Sequence, residues 1–318
     1  MARQRVCADR SRTGIAPIIS VVIPTFARPA KLRACLDGLA QQTSHHDDFE
    51  VVVVDDGSPT PIADVVEAFD DRMAVGVVRR QNAGPGAARN AGAAVARGRY
   101  LAFIDDDCVP APNWLSVLVR ELGRDPDQLV GGRVENSLKT NPYAEASDRI
   151  SRFVYEYYQR DGARERFFQT NNVALATDRF LALAGFTTSI PSATAEDKEF
   201  CDRGRASGLK LTHVPDAVVY HAHDLTFRGF VRQHFNYGRG IFVFRLMRRA
   251  RSQGPLVPEP LPFYSGLVLA PLRSGEGQRP LLVPLIFLSQ LATIAGAAYE
   301  ALRSSLNRRA EDHRRSNA

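Results

Sequence analysis

Several features that mark whole classes of protein are scarce or missing in this sequence. Only 4 of the 318 residues are cysteine, and no two of them form a CxxC pair, which argues against a disulfide framework. The first seventeen residues carry four arginines and no continuous apolar leader, and no internal repeat or low-complexity block follows. We therefore expect a globular protein of a reducing, cytoplasmic compartment, with residues 1–17 forming a disordered basic tail.

The composition is otherwise ordinary for a folded chain. Hydrophobic residues make up 44% and charged residues 24%, enough for one large domain or two small ones. The formal net charge of +6 is modest, and it leaves nucleic acid and an anionic membrane surface as alternative partners.

Short apolar strands alternate with helices through residues 18–125. The strands are predicted at 18–24, 49–54, 75–78 and 100–104, and the helices at 30–41, 62–69 and 87–96. Continuous apolar strands separated by helices predict an α/β fold with a parallel sheet, in which ligands bind beyond the carboxyl ends of the strands. After residue 125 the rhythm changes, and we expect strands of a different direction, with an aromatic-rich helix at 148–159.

Two apolar stretches, Phe263–Leu272 and Leu281–Leu302, follow a proline-rich linker near the C-terminus. The second approaches the roughly 20 residues that cross a bilayer, but it contains Pro284 and Glu300 and precedes an arginine-rich tail. Three alternatives remain for it: an interfacial or re-entrant membrane helix, which we favour, a true span, and a helix buried in the protein or in a homodimer.

Three adjacent aspartates, Asp105, Asp106 and Asp107, end the fourth predicted strand. Their mutual repulsion is relieved by a divalent cation, and hard carboxylate oxygens suit Mg²⁺ or Mn²⁺. Because alternate residues of a strand point the same way, we expect Asp105 and Asp107 to face one pocket and Asp106 to point elsewhere. A solvated acidic turn or a helix-capping cluster is the alternative.

A glycine-rich segment, NAGPGAARNAG, opens the third predicted helix. Such a loop can hold phosphate at a helix N-terminus, but the dinucleotide fingerprint fails because Arg89 stands at the third glycine position. The segment alone is equally compatible with an ordinary helix start.

Two further pairs of polar residues could carry chemistry. Glu196 and Asp197 stand at the start of a predicted helix, where acidic residues are also simply favoured by the helix dipole. His221 and His223 have strand spacing on one face, which suits either a metal contact or ordinary structural hydrogen bonding.

The order of these motifs is more specific than any one of them. VVIPTFARP, VVVVDDGS, NAGPGAARNAG, YLAFIDDDCVP, NNVAL, AED and H.H...F...FNYGRG together resemble the family-2 glycosyltransferases, which are inverting nucleotide-sugar enzymes of the GT-A fold. The resemblance runs from about residue 18 to 240. It implies a nucleotide-sugar-binding half at 18–125, an acceptor-binding half with the catalytic base at 126–250, and a membrane-associating or interface region at 251–318.

The resemblance also assigns the donor site. The nucleoside contacts fall on Pro24, Thr25 and Asp56, and the loop beside the nucleotide on Asn82, Gly84 and Arg89. Asp105 and Asp107 match the DXD signature, with Asp105 near the ribose, Asp107 on the metal and Asp106 in the variable middle place of the same site. His223, or as second choice His221, would complete the metal shell. Asn171 and Asn172 match a segment beside the sugar, of which Asn172 is our choice of donor contact.

The catalytic base of the family falls on Asp197, with Glu196 beside it. The implied mechanism is a metal-assisted single displacement that inverts the anomeric carbon. The QxxRW motif of processive synthases is absent, so we expect a transferase that adds one or a few sugars. A nucleotidyltransferase that makes a nucleotide sugar, and a catalytically inactive nucleotide-sugar-binding protein, are the alternatives.

The resemblance implies the following partners. They are a nucleotide diphosphate sugar, most often a UDP-sugar, and a glycan or lipid-linked acceptor of the cell envelope. It further implies a peripheral position at the cytoplasmic face of the cell membrane and no nucleic acid. The sugar, the acceptor and a role for Cys108 are not assigned by the sequence.

Overall fold

The computed structural model describes residues 16–160, 167–190, 194–251, 259–272 and 279–316. The chain divides into two compact units. Of the described residues, the first unit holds 16–137, 167–188 and 200–223, and the second holds 138–160, 189–190, 194–199 and the C-terminal part from 224. The boundaries predicted at 125 and 250 mark a different division and stay a prediction. Nearly all of the predicted basic tail lies outside the described residues.

The first unit is built on an eight-stranded sheet of order β3-β2-β1-β4-β7-β6-β8-β5. The strands are β1 (Ile19–Thr25), β2 (Phe49–Asp55), β3 (Val75–Arg79), β4 (Tyr100–Phe103), β5 (Cys108–Pro110), β6 (Gln128–Asn136), β7 (Val173–Ala176) and β8 (Lys210–His221). The first four strands of the chain are mutually parallel neighbours, as predicted, and every residue of β1, β2 and β4 is buried. Burial on both faces explains why these strands are mostly apolar, and the buried Ser20 of β1 donates to Glu50 of β2.

Strands of the other direction come from the later sequence, as predicted. β7 is antiparallel to both β4 and β6, while β8 is parallel to β6 and antiparallel to β5. The carboxyl ends of β1, β2 and β4 therefore meet at one edge, with Thr25 beside Asp55 in the register and Val22 beside Phe103. The N-terminal end of β7 reaches the same edge because it opposes Phe103.

Helices of the first unit pack on this sheet. They are α1 (Pro29–Leu39), α2 (Ala63–Glu67), α3 (Pro85–Val95), α4 (Trp114–Arg124), α6 (Thr177–Ala182) and the later part of α7 (Glu196–Ala206). α3 begins at Pro85 and not at Ala87, because Gly84 adopts a positive φ of 92° just before it and proline suits the first helical position. A Cβ on Gly92 would lie 2.4 Å from Val22, so the absence of a side chain lets α3 approach β1 closely.

The second unit is helical. It contains α5 (Pro142–Arg160), the first turn of α7, α8 (Phe227–Ala250), α9 (Leu261–Leu269) and α10 (Val283–Ser316), with short 3-10 turns at Ala270–Leu272 and Pro280–Leu282. α8 and α10 cross without a gap, since a Cβ on Gly238 would lie 1.9 Å from the Thr293 carbonyl oxygen. The stretch Pro280–Leu306 is long and apolar enough to cross a membrane by length and composition, and a little over a quarter of its most apolar window is buried.

Candidate active site

The three aspartates leave the sheet directly after β4. The strand ends at Phe103, so the alternation expected for Asp105 and Asp107 does not apply to them. Instead, Asp106 and Asp107 share one arginine, Arg28, and Asp105 pairs with a different one. The turn itself is at Asp106 and Asp107. The prediction that Asp105 and Asp107 face one pocket therefore loses its argument from strand alternation and stays a prediction.

Asp106 is the most buried of the three, with a relative exposure of 0%. It accepts a hydrogen bond from the Thr25 hydroxyl at 2.6 Å and one from Arg28 Nε at 3.1 Å. Arg28 Nη2 lies 2.6 Å from the other carboxylate oxygen, an ion pair without hydrogen-bond angles. Burial raises the pKa of Asp106 to about 7, although Arg28 and Thr25 oppose the shift. Thr25, a predicted nucleoside contact, thus ties β1 to the acidic cluster.

Asp107 is the meeting point of three cationic or imidazole groups. Arg28 Nη1 donates to its Oδ2 at 2.9 Å, Lys31 Nζ lies 3.6 Å from the same oxygen, and His221 Nε2 lies 3.3 Å from Oδ1. Burial alone would raise the pKa of Asp107, but the hydrogen bond and charge of His221, with Arg28 and Lys31, hold it well below its usual range. The carboxylate is therefore ionised at neutral pH.

Asp105 is paired with Arg89, which lies on α3. Arg89 is almost fully buried, its Nη2 lies 2.6 Å from Asp105 Oδ1, and its guanidinium stands 5.7 Å from the centre of the Phe186 ring. The arginine that breaks the dinucleotide fingerprint thus connects the glycine-rich segment to the acidic cluster. Its predicted phosphate contact stays a prediction.

Of the two histidines, His221 is the one that contacts Asp107. β5 pairs antiparallel with the end of β8, with Cys108 opposite His221, and this pairing brings the imidazole to the aspartate. His223 stacks on His221 at 5.0 Å between ring centres, and burial next to His221 lowers its pKa to about 4. The geometry therefore favours His221, our second choice for the metal shell, over His223.

The donor atoms near Asp107 suit a hard divalent ion. One ligand atom each from Asp107, Cys108 and His221 lies within 4.8 Å of the others. A carboxylate and an imidazole are acceptable ligands for Mn²⁺ or Mg²⁺, whereas burial raises the pKa of the Cys108 thiol well above its usual value and keeps this soft group protonated. Asp107 and His221 are therefore the pair that fits the ion.

The acidic turn after β2 organises the loop that precedes α3. Asp56 accepts hydrogen bonds from the backbone amides of Ala83 at 3.2 Å and Gly84 at 2.8 Å, and Arg80 Nε stands 3.4 Å away. Asn82 in this loop is exposed, and Pro24 is buried in β1. The nucleoside contacts predicted for Pro24 and Asp56 stay predictions. Asp56 also holds the loop before α3 in place through its hydrogen bonds to the two backbone amides.

Asn172 requires a correction. Its Oδ1 accepts from Trp114 Nε1 at 2.9 Å, and its Nδ2 donates to the carbonyls of Arg133 and Ala217 at 2.9 Å each. The residue is 1% exposed, and both amide hydrogens are used inside the protein. It is therefore a structural residue and not a sugar contact. Its neighbour Asn171 is also buried, but its Oδ1 has no hydrogen-bond partner among the described residues.

Glu196 and Asp197 begin α7 in the second unit. Glu196 is buried and Asp197 half-buried. The preceding residue, Ala195, has a positive φ of 66°, and Thr194 before it donates from its hydroxyl to the Asn236 carbonyl of α8 at 2.9 Å. The acid pair thus follows a turn that has a strained backbone and is fixed by a hydrogen bond to α8. Strained backbone of this kind persists only where the surrounding structure holds it in place. Their catalytic roles stay predictions.

Arg28 and Lys31 are the site residues that the sequence analysis missed. Arg28 immediately precedes α1, Lys31 lies in its first turn, and Lys31 also donates to the Ala222 carbonyl at 3.1 Å. Their position in the sequence could have identified them, because both follow the end of β1, on the sheet edge where the aspartates lie.

Comparison with known proteins identifies the family of the chain. The model of the family described as "Glycosyl transferase family 2" matches residues 20–181, about half of the chain. Validoxylamine A glucosyltransferase of Streptomyces hygroscopicus subsp. limoneus is 32% identical over 228 residues, which are 63% of this chain and 50% of that protein. Glycosyltransferase AglE of Haloferax volcanii is 26% identical over 72% of this chain and 74% of its own. The chain spans about half the length of the validoxylamine glucosyltransferases.

Solved structures share the fold. The mannosyltransferase PcManGT of Pyrobaculum calidifontis, in complex with GDP-Man and Mn²⁺, superposes with a TM-score of 0.57 at 19% identity, over 96% of this chain and 84% of its own. S. aureus TarS 1–349, in complex with UDP-GlcNAc, gives 0.53 at 17% identity, over 90% and 92%. The predicted GT-A fold with a C-terminal helical extension is confirmed. The chain belongs to glycosyl transferase family 2.

Proposed function

We propose that this enzyme transfers a sugar from a nucleotide diphosphate sugar to an acceptor hydroxyl by a single displacement that inverts the anomeric carbon. The observation that carries the proposal is the cluster after β4, where Asp107 contacts His221 and Asp105 pairs with Arg89. The mannosyltransferase PcManGT was solved in complex with GDP-Man, and TarS in complex with UDP-GlcNAc, which supports the donor class. UDP is our first choice of carrier.

Asp107 and His221 would hold the divalent ion, Mg²⁺ or Mn²⁺. When bound, such an ion stabilises negative charge on the departing diphosphate. Asp107 is suited to this task because its pKa is held low, so that it needs no deprotonation at neutral pH. Asp105 and Arg89 would lie on the ribose and phosphate side, where an arginine fork can bind two phosphate oxygens.

Asp197 would act as the general base. Its carboxylate takes the proton of the acceptor hydroxyl while the acceptor oxygen forms a bond to the anomeric carbon and the bond from that carbon to the diphosphate oxygen breaks. A positioned base of this kind contributes roughly 100- to 10,000-fold in rate. The backbone strain at Ala195 and the anchor of Thr194 on α8 support a fixed orientation for the first turn of α7.

We further propose that the acceptor is a glycan or lipid-linked molecule of the cell envelope, and that the C-terminal helices of the second unit rest on the cytoplasmic face of the membrane. Large apolar side chains of α10 are exposed along one side, among them Phe287, Leu291, Ile294 and Leu302. Interfacial helices bury such a face in the headgroup region and need no span. A homodimer that covers the same face is the competing arrangement.

A donor panel and two variants test the transfer. Thermal shifts with UDP-, GDP- and dTDP-sugars, with and without Mn²⁺, should show one donor whose stabilisation needs the metal, since saturation at 100 times the dissociation constant adds about 2.7 kcal/mol. Asp197→Asn should abolish transfer and leave donor affinity within a few fold, whereas Asp107→Asn should lose the metal-dependent shift. Asp216→Asn, at an exposed carboxylate, is the control. Turnover in Asp197→Asn would contradict the assignment of the base.

A further inference from the structure

Arg28 contacts Asp107, the proposed ligand of the metal ion, and its positive charge also suits the diphosphate of the donor. Its side chain is 43% exposed, and yet its guanidinium contacts two buried carboxylates, Asp106 and Asp107, with three different nitrogens. Lys31 adds a second cation at Asp107 Oδ2 and is 32% exposed. The two cations therefore lie on the solvent side of the acidic cluster, with aspartates behind them.

Each carboxylate of this cluster has a cationic side chain of the protein beside it. Three carboxylates face three cationic side chains, because Arg89 neutralises Asp105 while Arg28 and Lys31 neutralise Asp106 and Asp107. A divalent ion bound at Asp107 would place two further positive charges next to Arg28. The ion would lie at Oδ1 of Asp107, the oxygen next to His221, while Arg28 and Lys31 contact Oδ2 of the same carboxylate. Like charges only a few Å apart repel, so an ion on one side of this carboxylate weakens the hold of both cations on the other side.

We propose that Arg28 and Lys31 form an exchangeable pair of counter-cations, which holds Asp106 and Asp107 in the metal-free enzyme and turns to the diphosphate of the donor when a divalent ion takes Asp107. This inference rests on the proposed function. The partial exposure of both side chains gives them room to turn, and a bidentate guanidinium suits phosphate oxygens as well as carboxylates. Metal alone therefore binds weakly, and metal with diphosphate binds strongly.

This arrangement makes two opposite predictions for one variant. Arg28→Gln should bind Mn²⁺ alone about tenfold more tightly than the wild type, because a competing charge has been removed. The same variant should bind UDP or GDP in the presence of saturating Mn²⁺ about tenfold more weakly, because a phosphate contact has been lost. Lys31→Met should show both changes to a smaller degree, since its nitrogen is farther from Asp107.

The test uses the full chain. Free Mn²⁺ is measured by electron paramagnetic resonance during titration, and nucleoside diphosphate binding by calorimetry, for the wild type, Arg28→Gln, Arg28→Lys and Arg33→Gln. Arg33 is exposed on α1, the helix that begins directly after Arg28. Arg33→Gln is therefore the control that removes one positive charge nearby without touching the cluster. Arg28→Lys keeps the charge and loses the fork, so it should restore most of the competition with Mn²⁺ but only part of the diphosphate affinity.

The outcomes separate this inference from the proposed function. If the wild type binds both Mn²⁺ and a nucleoside diphosphate while Arg28→Gln behaves like Arg33→Gln, the exchange is refuted and the donor site stands. If Arg28→Gln binds Mn²⁺ and the nucleoside diphosphate more weakly to the same degree, the exchange is also refuted, since loss of a merely structural residue would lower both affinities. If the wild type binds neither ligand, the proposed function and the exchange fail together.

Discussion

Replacement of Asn172 by alanine should destabilise the protein strongly, because the side chain makes three buried hydrogen bonds. It leaves the Trp114 indole N–H without its partner, and the carbonyls of Arg133 and Ala217 without theirs. An unpaired buried donor costs about 1–3 kcal/mol and each lost bond about 1 kcal/mol, so we expect a loss of about 3–5 kcal/mol in the free energy of unfolding. Gly132 leaves just enough room for this amide, since a Cβ there would stand 2.4 Å from Asn172 Nδ2.

The measurement is urea unfolding followed by far-UV circular dichroism. Asn171→Ala is the matched control in the adjacent position, and it should cost less than about 1 kcal/mol because its Oδ1 has no hydrogen-bond partner among the described residues. Combining Asn172→Ala with Trp114→Phe should cost less than the sum of the two, by at least about 1 kcal/mol, since both break the same bond. An Asn172→Ala variant as stable as the wild type that has lost only donor binding would refute the structural role.

Three further perturbations have expected outcomes. In metal-free protein, the pKa of Asp106 is about 7 against an ordinary 3.8, so its contribution to stability falls as the pH rises from about 4 to 7. The pKa of His223 is about 4 against an ordinary 6.5, so its contribution rises over pH 4 to 6.5. Thermal melts across this pH range should therefore show stability that rises for Asp106→Asn and falls for His223→Gln, and identical profiles would contradict both shifts. Gly98→Ala should destabilise by roughly 1–3 kcal/mol in urea, because its Cβ would lie 2.5 Å from the Ser20 backbone nitrogen, while Gly123→Ala in open space on α4 should be neutral or stabilising by up to about 1 kcal/mol. Ile294→Asp should reduce flotation with anionic vesicles severalfold; retained flotation would argue against α10 as the membrane contact, and a change in oligomeric mass instead would favour the dimer.

The sheet edge that holds the site was predictable from the sequence. Runs rich in β-branched residues, such as Phe49–Val54, predict buried strands, and each run ends in polar residues, so that Thr25, Asp55 and the three aspartates were expected at one edge. Helix bounds were less predictable: α3 begins two residues before the predicted start because Gly84 supplies a backbone conformation that the spacing of apolar residues does not reveal.

Contacts between residues far apart in the sequence were not predictable. His221 and His223 occupy equivalent alternate places, and only the pairing of β5 with β8, which sets Cys108 opposite His221, selects one of them. Asn171 and Asn172 are likewise neighbours of one chemical type, and the position of Trp114 on α4 decides which amide becomes structural. A pattern in one segment does not contain the partner that a distant segment supplies.

The acidic cluster shows the same limit in its electrostatics. From the sequence, three adjacent carboxylates favoured a divalent ion, which relieves their repulsion, over a solvated acidic turn or a helix-capping cluster. The fold supplies Arg28, Lys31 and Arg89 from two other strand-end segments, so the aspartates are neutralised without an ion. Acid clusters at a strand end therefore predict a metal only after the basic residues of the neighbouring strand ends are counted. Here three cationic side chains face three aspartates. In the exchange that we propose, a metal displaces one of these cations, so the affinity of Arg28→Gln for Mn²⁺ alone is the most informative single measurement.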